Sequence, residues 1–377
     1  MSITSEQLET RPTVLVVDDE AGPRDSLKVI LRPFFDIHAA ENAKTALEVL
    51  RSEPIDLITL DQKLPDRHGL DLLQEIKRDH PNVEVVIITG YGSLRAAMEG
   101  TRHGAAGYLL KPFNINELIT LIQQTMEKKR RLDFLRHCLK TSTELWGSEG
   151  ESVGAWDRLK AGYFALCTKS EGDFVSEQEE GGMNLLPLLS DILEATDRQL
   201  LNHSSRVSFN ATLMAARLSL TLSEQKTLAM GAFLHDIGKA GLPSYRFAED
   251  QILPSGEPAV CKEHCDRGAR LIKPLGLPIE VGQIIASHHE RWDGQGYPRG
   301  LQGAEIPLLA RIVCIAQAFD HLTADSPGRS SLSIDAAIHQ ISLQSHTHFD
   351  PLLLELFIDV VKESTASIPA TTIAPAA

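Results

Sequence analysis

Between residue 13 and about residue 129, short apolar runs alternate five times with helix-period stretches. TVLVV, DIHAA, LITL, VEVVIIT and GYLL are each followed by an amphipathic segment such as NAKTALEVLRS. Five βα units in a row predict an α/β fold, a doubly wound five-stranded parallel sheet with helices on both faces. Helical periodicity resumes at MNLLPLLSDILEA and persists to about residue 362, with hardly any β-branched runs, so the second domain is expected to be all-α. At 377 residues the chain exceeds what one hydrophobic core usually serves, which fits this division.

The expected organisation is a first domain over 11–129, a helical extension and acidic flexible linker over 130–182, a helical domain over 183–362 and a disordered tail over 363–377. The last helix of the first domain runs on through Leu132, Leu135 and Leu139 at 3-4 spacing. That pattern fits a dimerising signalling helix, and so a homodimer, or an amphipathic extension that packs on its own chain. Residues 141 to about 182 are rich in Gly, Ser and Glu and read as a mostly flexible linker. With 37 basic against 51 acidic residues the net charge is -14, the wrong sign for holding nucleic acid by phosphate neutralisation. No terminal basic helix-turn-helix pattern is present, so no DNA partner is expected. Five cysteines without a CxxC pair fit a reducing compartment. No stretch reaches the length of a membrane span and the N-terminus MSITSEQLETRP has no signal-peptide pattern, which places the expected location in the cytoplasm, off the membrane.

In the first domain the polar residues fall at the ends of the apolar runs. Asp18 and Asp19 follow the first strand, Asp61 ends the third, Thr89 the fourth and Lys111 the fifth. In an open parallel sheet ligands sit beyond the carboxyl ends of the strands. Converging carboxylates repel unless a hard cation joins them, and Mg²⁺ accepts such oxygens while keeping waters for a phosphoryl group. Through VLVVDDE, LDQKLPDRHGLDLL, IITGYGS and YLLKPF the segment resembles the receiver family of response regulators, flavodoxin-like in fold, over its whole length. The resemblance implies that Asp61 accepts a phosphoryl group from a cognate sensor histidine kinase and that Asp18, Asp19 and Asp61 hold Mg²⁺. It also implies that Thr89 and Lys111 contact the phosphate, that Tyr108 is the switch aromatic and that the bond before Pro112 is cis. Lys63 and Tyr91 occupy positions that tune dephosphorylation in that family.

In the helical domain the histidines decide. His203 stands in NHSSRV, His235 and Asp236 in FLHDIGK, His264 in KEHCDRGARL, and His288 and His289 in SHHERWDGQGYP. A lone histidine is more often a surface or core residue than a ligand; five in one domain, two of the sites paired, point to metal. Adjacent residues on a helix lie about 100° apart, so a His-Asp or His-His pair can address two neighbouring ions, with the carboxylate as bridge. Imidazole and carboxylate suit one or two Fe, Mn or Zn ions. With AFLHDIGKAGLP, HHERWDGQGYPRGLQGAEIPLLARI, FDHLTAD and THFDP, the segment is similar to the HD-GYP family, an HD-type helical fold. That similarity implies hydrolysis of cyclic di-GMP to pGpG or GMP by a hydroxide bridging two or three metals. The ligands it implies are His203, His235, Asp236, His264, His288 and His289. It further implies that Asp236 and Lys239 are catalytic, Lys239 by contacting the substrate phosphate, and that Gly296, Tyr297, Pro298 and Arg329 border the nucleotide.

The chain departs from that family at Gln317, where the family has an Asp that terminally ligates the first metal. Gln199 likewise stands where trinuclear members have Glu. Asp320, three residues on, matches a different family position. The expected centre is therefore dinuclear with a weakened first metal, or singly occupied. Two readings follow: a phosphorylation-controlled cyclic di-GMP phosphodiesterase, or an HD-GYP-like output that binds cyclic di-GMP or a partner such as a GGDEF-type cyclase without turnover. A (p)ppGpp hydrolase is disfavoured by the HHERWDGQGYP string.

Overall fold

The computed structural model describes residues 11–90, 94–146, 149–167, 185–242, 259–325 and 330–366. The chain divides into two compact units, one ending at Arg131 and one beginning at Leu132. In the first, β1 (Thr13–Val17), β2 (Asp36–Ala40), β3 (Leu57–Leu60), β4 (Glu84–Thr89) and β5 (Gly107–Leu110) form one parallel sheet in the order β2-β1-β3-β4-β5. The helices between and after them are α1 (Ala21–Leu31), α2 (Ala43–Ser52), α3 (Gly69–Asp79), α4 (Leu94–Arg102) and α5 (Ile115–Thr141). All five strands expected from the sequence are present, and the doubly wound class holds. Because side chains alternate faces along a strand, Leu15 and Val17 join Leu72, Leu73 and Ile76 of α3, whereas Val14 and Val16 join Leu27 and Leu31 of α1 and Leu118 and Ile122 of α5. Both faces are buried, which is why these strands read as unbroken apolar runs.

The second unit is helical throughout its described residues: α6 (Glu149–Cys167), α7 (Leu186–Thr196), α8 (Arg198–Ala215), α9 (Leu222–Leu234), α10 (Ala259–Ile272), α11 (Ile279–Ser287), α12 (Leu308–Thr323), α13 (Ile334–Ser342) and α14 (Pro351–Ala366). Helices α8, α9 and α12 pack on one another, and α11 packs on α9 and α10. Caps fix two of the entries: Asp197 accepts from Gln199 N at 2.7 Å ahead of α8, and Thr221 with Glu224 forms a reciprocal capping box ahead of α9.

The helical extension expected after residue 129 is present, and the flexible linker expected over 141 to about 182 is corrected where residues 149–167 form α6. Leu132, Leu135 and Leu139 are buried in the second unit's own core with Trp156, Leu159 and Tyr163 of α6. Trp156 Nε1 donates to the Leu271 carbonyl at 2.8 Å, and Tyr163 Oη donates to Asp191 Oδ2 at 2.8 Å. Overall Gly, Ser and Glu content hid the 156, 159, 163 spacing, whose apolar stripe is what makes the segment a helix. Of the two readings of the leucines, packing on the chain itself is the one realised. Residues 168–184 lie outside the described residues. At the other end α14 continues to Ala366, four residues into the expected disordered tail, and the rest lies outside the described residues. No helix among the described residues is long and apolar enough to cross a membrane.

Candidate functional site

The strand order reverses between β1 and β3, and the ends of those two strands carry Asp18 and Asp61. Lys111, just past β5, reaches both, with Nζ 2.6 Å from Asp18 Oδ2 and 2.9 Å from Asp61 Oδ2. Asp18 and Asp61 are buried, Asp19 is exposed, and one oxygen of each lies within 4.8 Å of the others. Three carboxylates so close, against one ammonium, form a donor set for a hard cation. Burial alone would lower the Lys111 pKa, but its hydrogen bonds to Asp18 and Asp61 outweigh that and raise it, so the ammonium stays charged. Thr89 ends β4 fully buried, and the Tyr108 phenol is pushed up by burial and then by the Asp61 charge. The Lys111–Pro112 bond is cis, as the resemblance implied. Tyr91 lies outside the described residues.

In the helical unit, helix ends converge on one carboxylate. His203 comes from the middle of α8; His235 and Asp236 cap and follow α9; His264 lies on α10; His288 and His289 cap and follow α11. Asp236 Oδ2 faces His235 Nε2 at 3.4 Å and His203 Nε2 at 3.9 Å, while Oδ1 faces His264 Nε2 at 3.2 Å and His288 Nε2 at 3.7 Å. Each oxygen of one carboxylate thus serves a different imidazole pair. Within each pair the Nε2 atoms stand 3.2 Å apart. The approach depends on glycine at Gly238, where a Cβ would overlap the His264 carbonyl.

Ring orientation supplies the chemistry. His235 Nδ1 meets the Ala232 carbonyl at 2.7 Å and His288 Nδ1 the Ile285 carbonyl at 2.8 Å. Carbonyls only accept, so the proton sits on Nδ1 and Nε2 offers a lone pair. His203 Nδ1 likewise meets Asp320 Oδ2 at 2.7 Å, and Arg206 holds that carboxylate with Nε 2.5 Å from Oδ1 and Nη2 3.0 Å from Oδ2. Burial pushes His203, His288 and His289 down, the last two well below the ordinary imidazole value, so they are neutral rings rather than cations. Burial would raise the Asp236 carboxyl, but the Lys239 charge and the His235 and His264 rings hold it well below the usual range. The buried Nε2 atoms of His203 and His235 face each other at 3.2 Å beside the Asp236 carboxylate, a cage that a cation fits.

Other expected residues fall into place around this cage. Lys239 Nζ is 2.8 Å from Asp236 Oδ2. Tyr297 stacks on His289 with ring centroids 4.7 Å apart, its backbone N donates to the His289 carbonyl at 3.2 Å, and the Tyr297–Pro298 bond is cis. Gly296 lies so close under Glu290 and Arg291 that a Cβ would overlap their backbone. Arg329 lies outside the described residues. Gln317 is buried, and its Nε2 donates to the His288 carbonyl at 3.2 Å. The amide nitrogen is thus occupied by a backbone carbonyl, and the amide oxygen is the only atom of Gln317 that could ligate, without charge.

Sequence reasoning missed three participants. Asp320 is an orienting partner of His203. Glu290 closes the 290–301 loop by accepting from Arg299 N at 2.8 Å and Leu301 N at 3.0 Å. Cys265 Sγ falls into one donor group with His264, His288 and His289. Only the spacing of His203 and Arg206 on α8, one turn apart, hinted at a shared carboxylate.

Two family profiles match the chain: response regulator receiver domain over residues 14–123 and HD domain over residues 187–353. The chain is a receiver domain followed by an HD domain. The cyclic di-GMP phosphodiesterase of Thermotoga maritima is 29% identical over 356 residues, 94% of this chain and 91% of that protein. The cyclic di-GMP phosphodiesterase response regulator RpfG of Xanthomonas campestris pv. campestris is 27% identical over 361 residues, 94% of this chain and 89% of that protein. The 3'3'-cGAMP-specific phosphodiesterase 2 of Vibrio cholerae is 31% identical over 182 residues, 48% of this chain and 35% of that protein. HD domains are metal-dependent hydrolases as a family, in keeping with the cage in this HD domain.

If Asp320 fixes the His203 tautomer, Asp320→Ala should weaken the ion held by His203 and His235 by roughly 10- to 100-fold while sparing the one beside His264 and His288. Calorimetric titration of the chelator-stripped protein with Mn²⁺ reads both sites. Equal affinities in wild type and variant would remove Asp320 from the centre.

Proposed function

We propose that this protein is a two-component response regulator in which phosphorylation of Asp61 controls an HD-GYP output that hydrolyses cyclic di-GMP. The observation that carries the enzymatic part is Asp236, one buried carboxylate with an imidazole pair at each oxygen. His203, His235 and Asp236 would hold one divalent ion, and Asp236, His264, His288 and His289 the other. Such ions lower the pKa of bound water and neutralise phosphodiester oxygens. Lys239, 2.8 Å from Asp236, is placed to turn its ammonium to a substrate phosphate. Tyr297, stacked on His289, offers a ring face at the rim for a guanine base.

In the receiver, Asp18, Asp19 and Asp61 would hold Mg²⁺, and a phosphohistidine kinase supplies the phosphoryl group to an Asp61 oxygen. Lys111, already bonded to Asp61, then pairs with the added charge, the Thr89 hydroxyl closes on it, and Tyr108 follows, which shifts a two-state equilibrium. Asp61→Asn should abolish labelling by acetyl phosphate with Mg²⁺ present. An Asn variant that labels as well as wild type removes the assignment.

Gln317 favours a second reading, in which the HD domain binds cyclic di-GMP, or a partner such as a GGDEF-type cyclase, without turnover. Its amide nitrogen, turned to the His288 carbonyl, contributes no charge to the first ion. Restoring the carboxylate decides between the two. Wild type and Gln317→Asp are compared for hydrolysis of cyclic di-GMP, with 3'3'-cGAMP as the competing substrate, across a Mn²⁺ series. The enzyme reading expects wild-type turnover of cyclic di-GMP that depends steeply on metal, shifted to roughly 10- to 100-fold lower metal by Gln317→Asp. Turnover gained only in the variant makes the natural protein a receptor. Two inactive proteins that still bind cyclic di-GMP end the enzyme reading altogether.

A further inference from the structure

Cys265 follows His264 on α10, and both are buried, at 0% and 1% exposure. Adjacent helical residues point about 100° apart, so they can meet at one point only if that point lies close over the helix. Here they do. Sγ lies 3.6 Å from His264 Nε2, His264 Nε2 lies 3.2 Å from His288 Nε2, and the ligand atoms of His264, Cys265, His288 and His289 all lie within 4.8 Å of one another.

Those two short edges can be compared with a coordination tetrahedron. Zinc–nitrogen bonds of about 2.0–2.1 Å and a zinc–sulfur bond of about 2.3 Å, at tetrahedral angles, put two nitrogens about 3.3 Å apart and a nitrogen and a sulfur about 3.6 Å apart. The observed edges match both. Two further atoms point to a cation independently of the thiol. His289 Nε2 and Asp236 Oδ1 are buried without a hydrogen-bond partner, and Oδ1 stands 3.2 Å from His264 Nε2. Among the donors of the two imidazole groups, Asp236 supplies the only carboxylate, so a thiolate would add a second negative charge facing two divalent ions.

We propose that Cys265 Sγ is a ligand of the ion beside His264, His288 and His289, making that half of the centre a nitrogen and sulfur site that selects a zinc-class ion over Mg²⁺ or Mn²⁺. The proposal rests on the metal-centre reading above and adds the donor set and the metal class to it. When the ion enters, the Sγ–H bond breaks, the proton leaves to solvent and the sulfur lone pair forms the bond to the metal. Thiolate and imidazole are the donor pair zinc prefers, whereas Mg²⁺ and Mn²⁺ prefer oxygen. With Asp236 Oδ1 these would make five protein donors around that ion, so the position left for water and substrate lies on the side of His203 and His235. The competing account is a thiol that only hydrogen-bonds His264.

The test uses the full chain, stripped by a chelator under reducing conditions and titrated with Co²⁺ alone. Wild type should develop a sulfur-to-cobalt charge-transfer band in the near ultraviolet together with visible ligand-field bands. Cys265→Ser should lose the former and keep the latter, with affinity for Zn²⁺ down at least 10-fold, while Cys261→Ser and Cys314→Ser keep both. X-ray absorption of the zinc-loaded wild type, which needs no variant to fold, should find a sulfur scatterer at about 2.3 Å. Ligand-field bands without the charge-transfer band, a band that survives Cys265→Ser, or a zinc shell without sulfur would each overturn the proposal while leaving the centre standing. Failure of wild type to bind cobalt at all would sink the centre and the proposal together.

Discussion

The helical unit is organised around one buried anion. A carboxylate out of water is costly unless its charge is met, and Asp236, 2% exposed, meets an ammonium and four imidazoles drawn from α8, α9, α10 and α11. None of those helices can shift without uncovering it. The glycine contact at Gly238 is a consequence of that convergence, because the turn that carries Asp236 has to lie against α10. So is the Arg206–Asp320 pair, whose buried carboxylate meets a half-exposed guanidinium while it orients His203. Removing Arg206 takes away a charge that meets the buried Asp320 carboxylate, and removing Asp320 leaves the His203 ring free to turn.

The receiver solves a similar problem with different means. Its carboxylates come from loops at the strand ends, where the sheet's order reverses, and Lys111 holds Asp18 and Asp61 together from β5. An ammonium on a flexible stem can let go when a phosphoryl group brings new charge, whereas imidazoles locked by carbonyls and a carboxylate cannot.

Most of this was legible in the sequence where the pattern is periodic or the motif dense. The five apolar runs gave their strands nearly to the residue because both faces of the sheet are buried. The paired His-Asp and His-His strings placed the centre, and the six ligand positions implied by the resemblance do converge. What stayed hidden required three dimensions. The Nδ1 partners come from a carbonyl one turn back or from Asp320 on α12, 117 residues from His203, and no spacing rule links them. Cys265 belongs to no CxxC pair, and a single cysteine next to a histidine has no pattern until the fold brings His288 to it. Helix α6 was lost to its Gly and Ser content, because composition was weighed over the spacing of Trp156, Leu159 and Tyr163.

The proposed sharing of the Asp236 carboxylate between two ions is tested most directly by anomalous diffraction from crystals grown with Zn²⁺ and Mn²⁺. It predicts two anomalous peaks, one on each side of Asp236 and each bonded to a different carboxylate oxygen, with zinc stronger beside His264 and His288 than beside His203 and His235. A single peak bound through one oxygen, with the other oxygen still paired to Lys239, would contradict it.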